Sequence, residues 1–192
     1  MKPWALFSFL LRYPSAEVVA ARADVAAAVV AMPAGKARDG LERFLAEWKG
    51  DEVALAAAYV QTFDLRRRAS LSLTYYAHGD TRNRGMALLG LKQTYAAAGW
   101  LLSDEELSDH LSVVLEFAAA TGDREPLVQH RSGLELLRLA LHDAGSPWAA
   151  VVDSVAATLP PLAGPQRTAV ERLVAGGPPV EKVGLETYGA PR

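Results

Sequence analysis

Residues 40–63, GLERFLAEWKGDEVALAAAYVQTF, decide the fold class. The apolar residues of its first half are Leu41, Phe44, Leu45 and Trp48. Their spacing of i, i+3, i+4 and i+7 places them on one face of a helix. Gly50 is typical of a helix end, and Asp51 can cap the next helix. Because the same period continues through most of the chain and strand alternation is almost absent, the sequence predicts an all-α fold.

Length and composition favour a single helical bundle. The chain has 192 residues, 51% of them hydrophobic, and a formal net charge of -2. That length is enough for one compact domain with a substantial core, which we assign to residues 1–175. A last helix is expected around 166–175. The remainder, residues 176–192, has turn-forming residues and no periodicity, and we expect it to be a flexible C-terminal tail.

The N-terminal segment MKPWALFSFLLRYPSAE has a superficial likeness to a secretion signal. Arg12, Pro14 and Glu17 interrupt its apolar run before any small-residue cleavage site, so an amphipathic first helix is the better interpretation. No uninterrupted apolar run is long enough to cross a bilayer. We therefore expect a soluble protein without stable membrane insertion.

Three further helix starts are predicted from capping residues. Asp80 is a candidate cap for a helix that ends at Gly99, and Ser146 with Pro147 begins a later one. Ser103 and Glu106 form the S-x-x-E pattern of a capping box. The helix expected after this box is predicted to be central and mostly buried. Its polar side is expected to consist of Asp109, Ser112 and Glu116.

Catalytic and metal-binding motifs are absent from the sequence. There is no cysteine, none of the four histidines forms an H-E-x-x-H pair, and no glycine-rich phosphate loop or G-x-S-x-G elbow is present. His130 lies in an apolar seam, where a hydrogen-bonded structural role is favoured. No motif in the sequence therefore points to catalysis or to a metal site, and we expect no cofactor.

The arginine run Arg66–Arg68 stands out in a slightly acidic chain. Structural pairing, for example with Asp64 and Asp80, and binding of a partner explain it equally well. A helical DNA-binding regulator could use this run on a recognition helix, but the acidic balance disfavours nucleic acid as a partner. A small helical hydrolase is the other alternative, and a bound catalytic metal would be its sign.

Several motifs occur together between about Tyr59 and Ala120. The stretches FDLRRR, LTYYAHGDTRNRGMAL, LKQTYAAAG and LSDHLSVVLEFAA resemble the nitrate reductase molybdenum cofactor assembly chaperones, the NarJ family. That family belongs to the TorD/DmsD-like redox-enzyme maturation chaperones. The resemblance implies a cytoplasmic, all-helical chaperone that is not an enzyme and is not a subunit of the final nitrate reductase.

The resemblance also implies a client. Such chaperones bind the catalytic (alpha) subunit of nitrate reductase, including its N-terminal leader-like peptide, and hold it for molybdenum cofactor insertion before it associates with the membrane. In the wider group, an acidic-Pro-x-Asp-His motif is associated with client recognition. The matching stretch, residues 107–110, keeps Asp109 and His110 but lacks the proline, and a purely structural role for this pair is equally open.

Candidate client-binding residues follow from these motifs. Acidic side chains such as Asp109 and Glu116 suit a basic leader peptide, with Asp109 expected at the rim of a groove. The arginine run suits a folded client surface. The full set is Arg66, Arg67, Arg68, Tyr75, Tyr76, His78, Asp80, Arg84, Asp109, His110 and Glu116.

Overall fold

A computed structural model of the protein describes residues 3–103 and 106–176. Within these ranges the secondary structure is helical, apart from one isolated antiparallel bridge between Ser72 and His110. The helices are α1 (Trp4–Leu10), α2 (Ala16–Ala20), α3 (Arg22–Val30), α4 (Lys36–Glu47), α5 (Glu52–Tyr59), α6 (Tyr75–His78), α7 (Arg82–Ala97), α8 (Leu111–Thr121), α9 (Glu125–Gln129), α10 (Arg131–Asp143), α11 (Trp148–Ala157) and α12 (Gly164–Gly176). The all-α prediction is confirmed.

The predicted division of the chain lies at the end of α12. This helix covers the one expected around 166–175. Residues 177–192 of the predicted tail lie outside the described residues, so the division at 175/176 stays a prediction.

The main core forms around Trp148 at the start of α11. Its indole ring is packed among Phe44, Tyr59 and Phe63, with ring centroids 5.5 to 6.1 Å apart. The indole Nε1 donates a hydrogen bond to the carbonyl oxygen of Leu10 at 3.1 Å. This residue therefore joins α1, α4, α5 and the turn after α5 in one apolar cluster.

The first helix packs on α8, and most of its residues are buried. Phe7 and Leu11 are fully buried. Ser8 and Arg12 both donate to Glu116 of α8, at 2.9 and 2.7 Å. None of the helices in the described part of the chain is both long and apolar enough to span a bilayer.

A π-helical turn, Val60–Asp64, continues α5 directly. The amide of Leu65 donates to the carbonyl of Val60, and the Thr62 hydroxyl donates to the carbonyl of Ala58. π-turns contain one residue more than an α-turn and occur frequently at functional sites. Here the turn leads into the arginine run, where a short 3₁₀ turn covers Arg67–Ala69.

Capping predictions are confirmed in part. The Asp51 carboxylate accepts from the amide of Ala54 at 2.9 Å, as expected for the cap of α5. Asp80 is not a cap: α7 begins one residue later, after Thr81, and makes no side-chain capping bond there. The helix expected from Ser146 and Pro147 begins at Trp148.

The prediction of a capping box at Ser103 and Glu106 is wrong. α8 begins at Leu111, and the imidazole Nδ1 of His110 accepts from the amide of Ser112 at 3.3 Å. The preceding residues pair instead with a distant segment, because the amide of Leu111 donates to the carbonyl of Leu71 at 2.8 Å. Long-range backbone pairing overrides the local helix signal here. Asp109 and Ser112, assigned to a polar helix side, are buried.

A second, smaller apolar cluster holds α7 against α8. Leu91 and Tyr95 of α7 pack on Val113 and Phe117 of α8, with Trp100 and Leu102 against them. The ring centroids of Tyr95 and Phe117 are 4.6 Å apart. Leu91 and Tyr95 are the only buried side chains of α7 among the described residues, so α7 depends on this cluster for its position.

Candidate functional site

Asp109 organises the segment Leu71–His78, which we call the anchored segment. The Asp109 side chain is 0% exposed, and its Oδ2 accepts from both the amide and the hydroxyl of Thr74. Its backbone carbonyl accepts from the amide of Leu73 at 3.0 Å. The other carboxylate oxygen, Oδ1, is buried without a hydrogen-bond partner. One buried acid thus fixes the start of α6 from two directions.

Arg84 supplies the cation nearest to this acid. Its Nη2 lies 3.6 Å from Oδ2 of Asp109, and its Nη1 lies 3.4 Å from Asp80. Arg84 Nε is buried without a hydrogen bond. Because an uncompensated buried carboxylate is costly, Arg84 is the residue that makes the burial of Asp109 tolerable. It also links the first turn of α7 to the loop before α8.

Two half-buried histidines interact electrostatically with the carboxylate. Burial lowers the pKa of His110, while the charges of Asp109 and Glu116 oppose that shift. Burial likewise lowers the pKa of His130, with Asp109 raising it and His78 lowering it further. Both imidazoles are therefore neutral at pH 7. The charges of Asp109 and His78 both act on His130, so these two residues lie in its surroundings.

Tyr76 ties the anchored segment to the end of the arginine run. Its hydroxyl lies 2.9 Å from the carbonyl oxygens of both Arg68 and Ser70. Burial raises the pKa of this phenol above its usual range, so it stays protonated and donates. Tyr75 is half-buried, with its ring edge-on to Tyr76 at 5.9 Å.

A glycine in α10 permits the close packing of this segment. A side-chain carbon at Gly133 would lie 2.5 Å from the carbonyl oxygen of Leu73. That distance is far below van der Waals contact, so only glycine fits. α10 therefore packs directly against the backbone of the anchored segment.

Two residues of the arginine run, Arg66 and Arg68, face solvent. Arg66 and Arg68 are exposed and line an open depression of about 340 Å³ together with Asp143 and small residues at the end of α10. In the described part of the chain neither arginine forms an ion pair with Asp64, and Asp80 pairs with Arg84 instead. The side chain of Arg67 lies outside the described residues. Of the two interpretations left open, structural pairing thus receives no support for Arg66 and Arg68.

Glu116 is not brought together with Asp109. Its carboxylate oxygen Oε1 is occupied by Ser8 and Arg12 of α1. The predicted rim position of Asp109 is also wrong, because the residue lies in a buried loop rather than on an exposed helix face. The Asp109 carboxylate is buried, and its partners Thr74 and Arg84 come from parts of the chain that are distant in sequence.

The prediction from the sequence did not include the exposed apolar side chains close to this site. Met86 and Leu89, three residues apart on α7, are 69% and 47% exposed. Leu107 is also exposed and precedes Ser108, whose hydroxyl donates to the carbonyl of Leu88 at 2.8 Å. α7 and the loop before Asp109 thus present exposed apolar side chains on both sides of the hydrogen bond between Ser108 and Leu88. The signal was available: α7 has apolar residues on more than one face.

The described residues include no group of three or more acidic or histidine side chains arranged to hold a metal ion. Their arrangement is that of a rigid, hydrogen-bonded support carrying exposed apolar and basic side chains. Such a surface suits recognition of another protein.

Comparison with known proteins identifies the family. The sequence profile of the nitrate reductase delta subunit family matches residues 29–153, more than half of the chain, including the arginine run, the anchored segment and Asp109. The nitrate reductase-like protein NarX of Mycobacterium tuberculosis is 38% identical over 159 residues, 81% of this chain and 24% of that protein.

Two relatives carry the name of chaperones. The probable nitrate reductase molybdenum cofactor assembly chaperone NarJ of Bacillus subtilis is 37% identical over 120 residues, 61% of this chain and 64% of that protein. The NarJ chaperone of Escherichia coli is 39% identical over 69 residues, 36% of this chain and 29% of that protein. The chain thus spans less than two thirds of the length of these relatives. It belongs to the nitrate reductase delta subunit family, the NarJ-type molybdenum cofactor assembly chaperones.

Proposed function

We propose that this protein is a cytoplasmic, non-catalytic chaperone for the catalytic (alpha) subunit of a nitrate reductase. It binds the N-terminal leader-like peptide of that subunit and keeps the subunit competent for molybdenum cofactor insertion before membrane association. It then leaves and is not part of the final enzyme. Membership of the NarJ family and the names of the relatives support this proposal.

The observation that carries the proposal is the pairing of a fixed support with exposed apolar side chains. Asp109, Thr74 and Arg84 hold the start of α7 in place. Met86 and Leu89 then project from that helix into solvent. Exposed apolar side chains at helical spacing are a common means of binding an apolar peptide, and their burial supplies most of the affinity.

Exposure divides the predicted site residues into two roles. Asp109 and Tyr76 are buried and act by positioning, and His110 caps α8. Arg66, Arg68 and Asp80 are exposed and available for contact with a client. Tyr75, His78 and Arg84 are half-buried and lie between these groups. Glu116 holds α1 and enters the site only through α8.

Calorimetric titration with a peptide matching the N-terminus of the alpha subunit tests the apolar contacts. Changing Met86 and Leu89 together to serine should weaken peptide binding by about ten-fold or more, because two apolar contacts of about 1 kcal/mol each are lost. Val53→Ser is the matched control, since Val53 is 77% exposed on α5. Equal affinity of the double variant and the control would contradict this peptide site.

The arginine run is tested with the full client. Changing Arg66, Arg67 and Arg68 together to glutamate should impair maturation of nitrate reductase in a deletion strain complemented with the variant. Peptide affinity should change less, because a basic leader gains little from an arginine cluster whereas a folded client surface gains more. Full enzyme activity in this strain would show that the run is incidental.

A further inference from the structure

An open groove of about 590 Å³ lies between α4, α10, α11 and the segment that leads into α12. It is close to none of the apolar side chains discussed above. Its basic residues are Lys36, Arg43, Arg131, Arg138 and Arg167, and its acidic residues are Asp39, Glu135 and Asp153. The lining thus has a formal charge of +2, whereas the whole chain has -2. Positive charge is concentrated here against the overall balance.

The floor of the groove contains an arginine that is not fully hydrogen-bonded. Arg131 is 7% exposed, and its Nε and Nη1 make no hydrogen bond. The nearest acid is Glu135, with Oε2 3.5 Å from Arg131 Nη1. Desolvation is the main influence on this guanidinium and lowers its pKa. A buried guanidinium whose N–H groups lack acceptors destabilises a fold, unless a ligand supplies the missing acceptors.

Two of the three acidic residues of the groove, Glu135 and Asp153, already bind basic side chains. The Oε1 atom of Glu135 accepts from Nε of Arg138 at 2.9 Å and from its Nη2. Asp153 accepts from Nη1 of Arg138 at 3.2 Å and also meets His142 at 3.0 Å. The two carboxylates thus hold Arg138 in a fixed position, and Glu135 is shared between Arg138 and Arg131.

The helices that form the groove are packed closely enough to fix it. A side-chain carbon at Gly40 of α4 would collide with the Oγ of Ser154 and would lie 2.9 Å from the carbonyl oxygen of Ala150, both on α11, so α11 packs directly against α4 at this glycine. Arg131, Glu135 and Arg138 share one face of α10 by their spacing of four and three. Gly133 lies about 200° around the helix from Arg131, so the groove and the anchored segment use opposite faces of α10.

We propose that this groove binds a small phosphate-type oxyanion, free or carried by a small molecule. The guanidinium groups of Arg131 and Arg138 form the floor, and Arg43, Lys36 and Arg167 form the rim. Guanidinium donors in a fork match the several acceptor oxygens of a phosphate better than those of a halide. The groove volume lies within the range of small-molecule sites, so it has room for more than the anion itself.

Calorimetric titration of the full chain with inorganic phosphate and with pyrophosphate tests the site, in buffers matched in ionic strength with chloride. At least one anion should bind and raise Tm in proportion to its occupancy. Arg167→Glu should weaken that binding by about ten-fold, because one rim cation becomes an anion. Tighter binding of pyrophosphate would indicate a phosphorylated molecule as ligand, whereas equal binding would indicate the free ion.

The matched control is Arg172→Glu, the same charge reversal on an exposed residue of α12 that does not line the groove. Its affinity should stay within about two-fold of the parent, since the reversed charge is screened by solvent. Absence of binding by both anions would overturn the proposal. Equal losses in the two variants would also overturn it, because they would show general charge attraction rather than a site. Both variants alter exposed residues, so loss of folding does not obscure the result.

Discussion

The two apolar clusters of this protein differ in how many elements they hold. The main cluster joins α1, α4, α5, α8, α10 and α11, with Trp148 packed against three other aromatic rings. The small cluster holds α7 with Leu91 and Tyr95 alone. α7 therefore has few contacts that must break before it moves. The difference indicates that α7, which carries the exposed apolar side chains and is anchored at its first turn by Arg84, opens locally more easily than the helices of the main cluster.

The largest expected effect is in the main cluster. Trp148→Ala should lower the free energy of unfolding by about 3–5 kcal/mol, because a large cavity forms and the bond to Leu10 is lost. Urea denaturation followed by circular dichroism measures this. Val53→Ala, an exposed change, should stay within about 0.5 kcal/mol of the parent. A loss below 1 kcal/mol for Trp148→Ala would mean that this cluster does not dominate stability.

The same glycine substitution should have opposite signs in the two regions. Gly133→Ala should destabilise by about 1–3 kcal/mol, because the new carbon collides with the backbone of Leu73. Gly90→Ala in α7 meets nothing within 4 Å and should stabilise by up to about 1 kcal/mol through helix propensity. Thermal and urea unfolding of both variants decide this. Equal signs would contradict the close packing at Gly133.

The position of α7 depends on one buried hydroxyl. The phenol of Tyr95 donates to the carbonyl of Ser108 at 2.7 Å, and Tyr95→Phe should cost about 1–1.5 kcal/mol. Hydrogen exchange should show the loss of protection in α7 and the loop before α8, with α11 unchanged. Tyr13→Phe, at an exposed tyrosine, is the control. Loss of protection in α11 to the same extent would show that the two clusters unfold as one unit.

The smallest effect is a pH dependence. Burial lowers the pKa values of His110 and His130 in the folded state, so the unfolded chain binds more protons as pH falls below about 6.5. The free energy of unfolding should therefore be constant with respect to these histidines above that pH. Below it, the free energy of unfolding should decrease by less than about 1.4 kcal/mol per pH unit for each histidine. Urea denaturation at pH 7.5 and 5.5 measures the decrease.

Changing both histidines to glutamine should reduce this dependence. The double variant is compared with the parent at the same two pH values. If the difference between pH 7.5 and 5.5 is the same in both proteins, the two imidazoles do not cause it.

Local signals in the sequence predicted the fold class but not the site. Asp51 caps α5 as its position indicated, because a cap depends on residues within one turn. The buried state of Asp109 depends on Thr74 and Arg84, which are 35 and 25 positions earlier in the chain. No periodicity can report such a contact. The helix predicted for the segment before α8 is absent for the same reason, since the backbone of that segment pairs with Leu71 and Leu73.

The resemblance to a family pointed to one segment of the chain without describing its surface. It pointed to Asp109 and the arginine run together, yet one is buried and Arg66 and Arg68 are exposed. Motif residues can be retained because they hold a surface in place as well as because they form it.

The π-turn at Val60–Asp64 also has a consequence for changes in chain length. A π-turn behaves as an α-helical turn with one residue inserted, and here it forms the C-terminal extension of α5. Gln61 is exposed within this turn. A chain lacking Gln61 would have a regular helix here, with Tyr59 and Phe63 still able to reach Trp148. Relatives that are one residue shorter at this point would preserve the same core, so an alignment gap here would mark a change of helix type rather than a difference in fold.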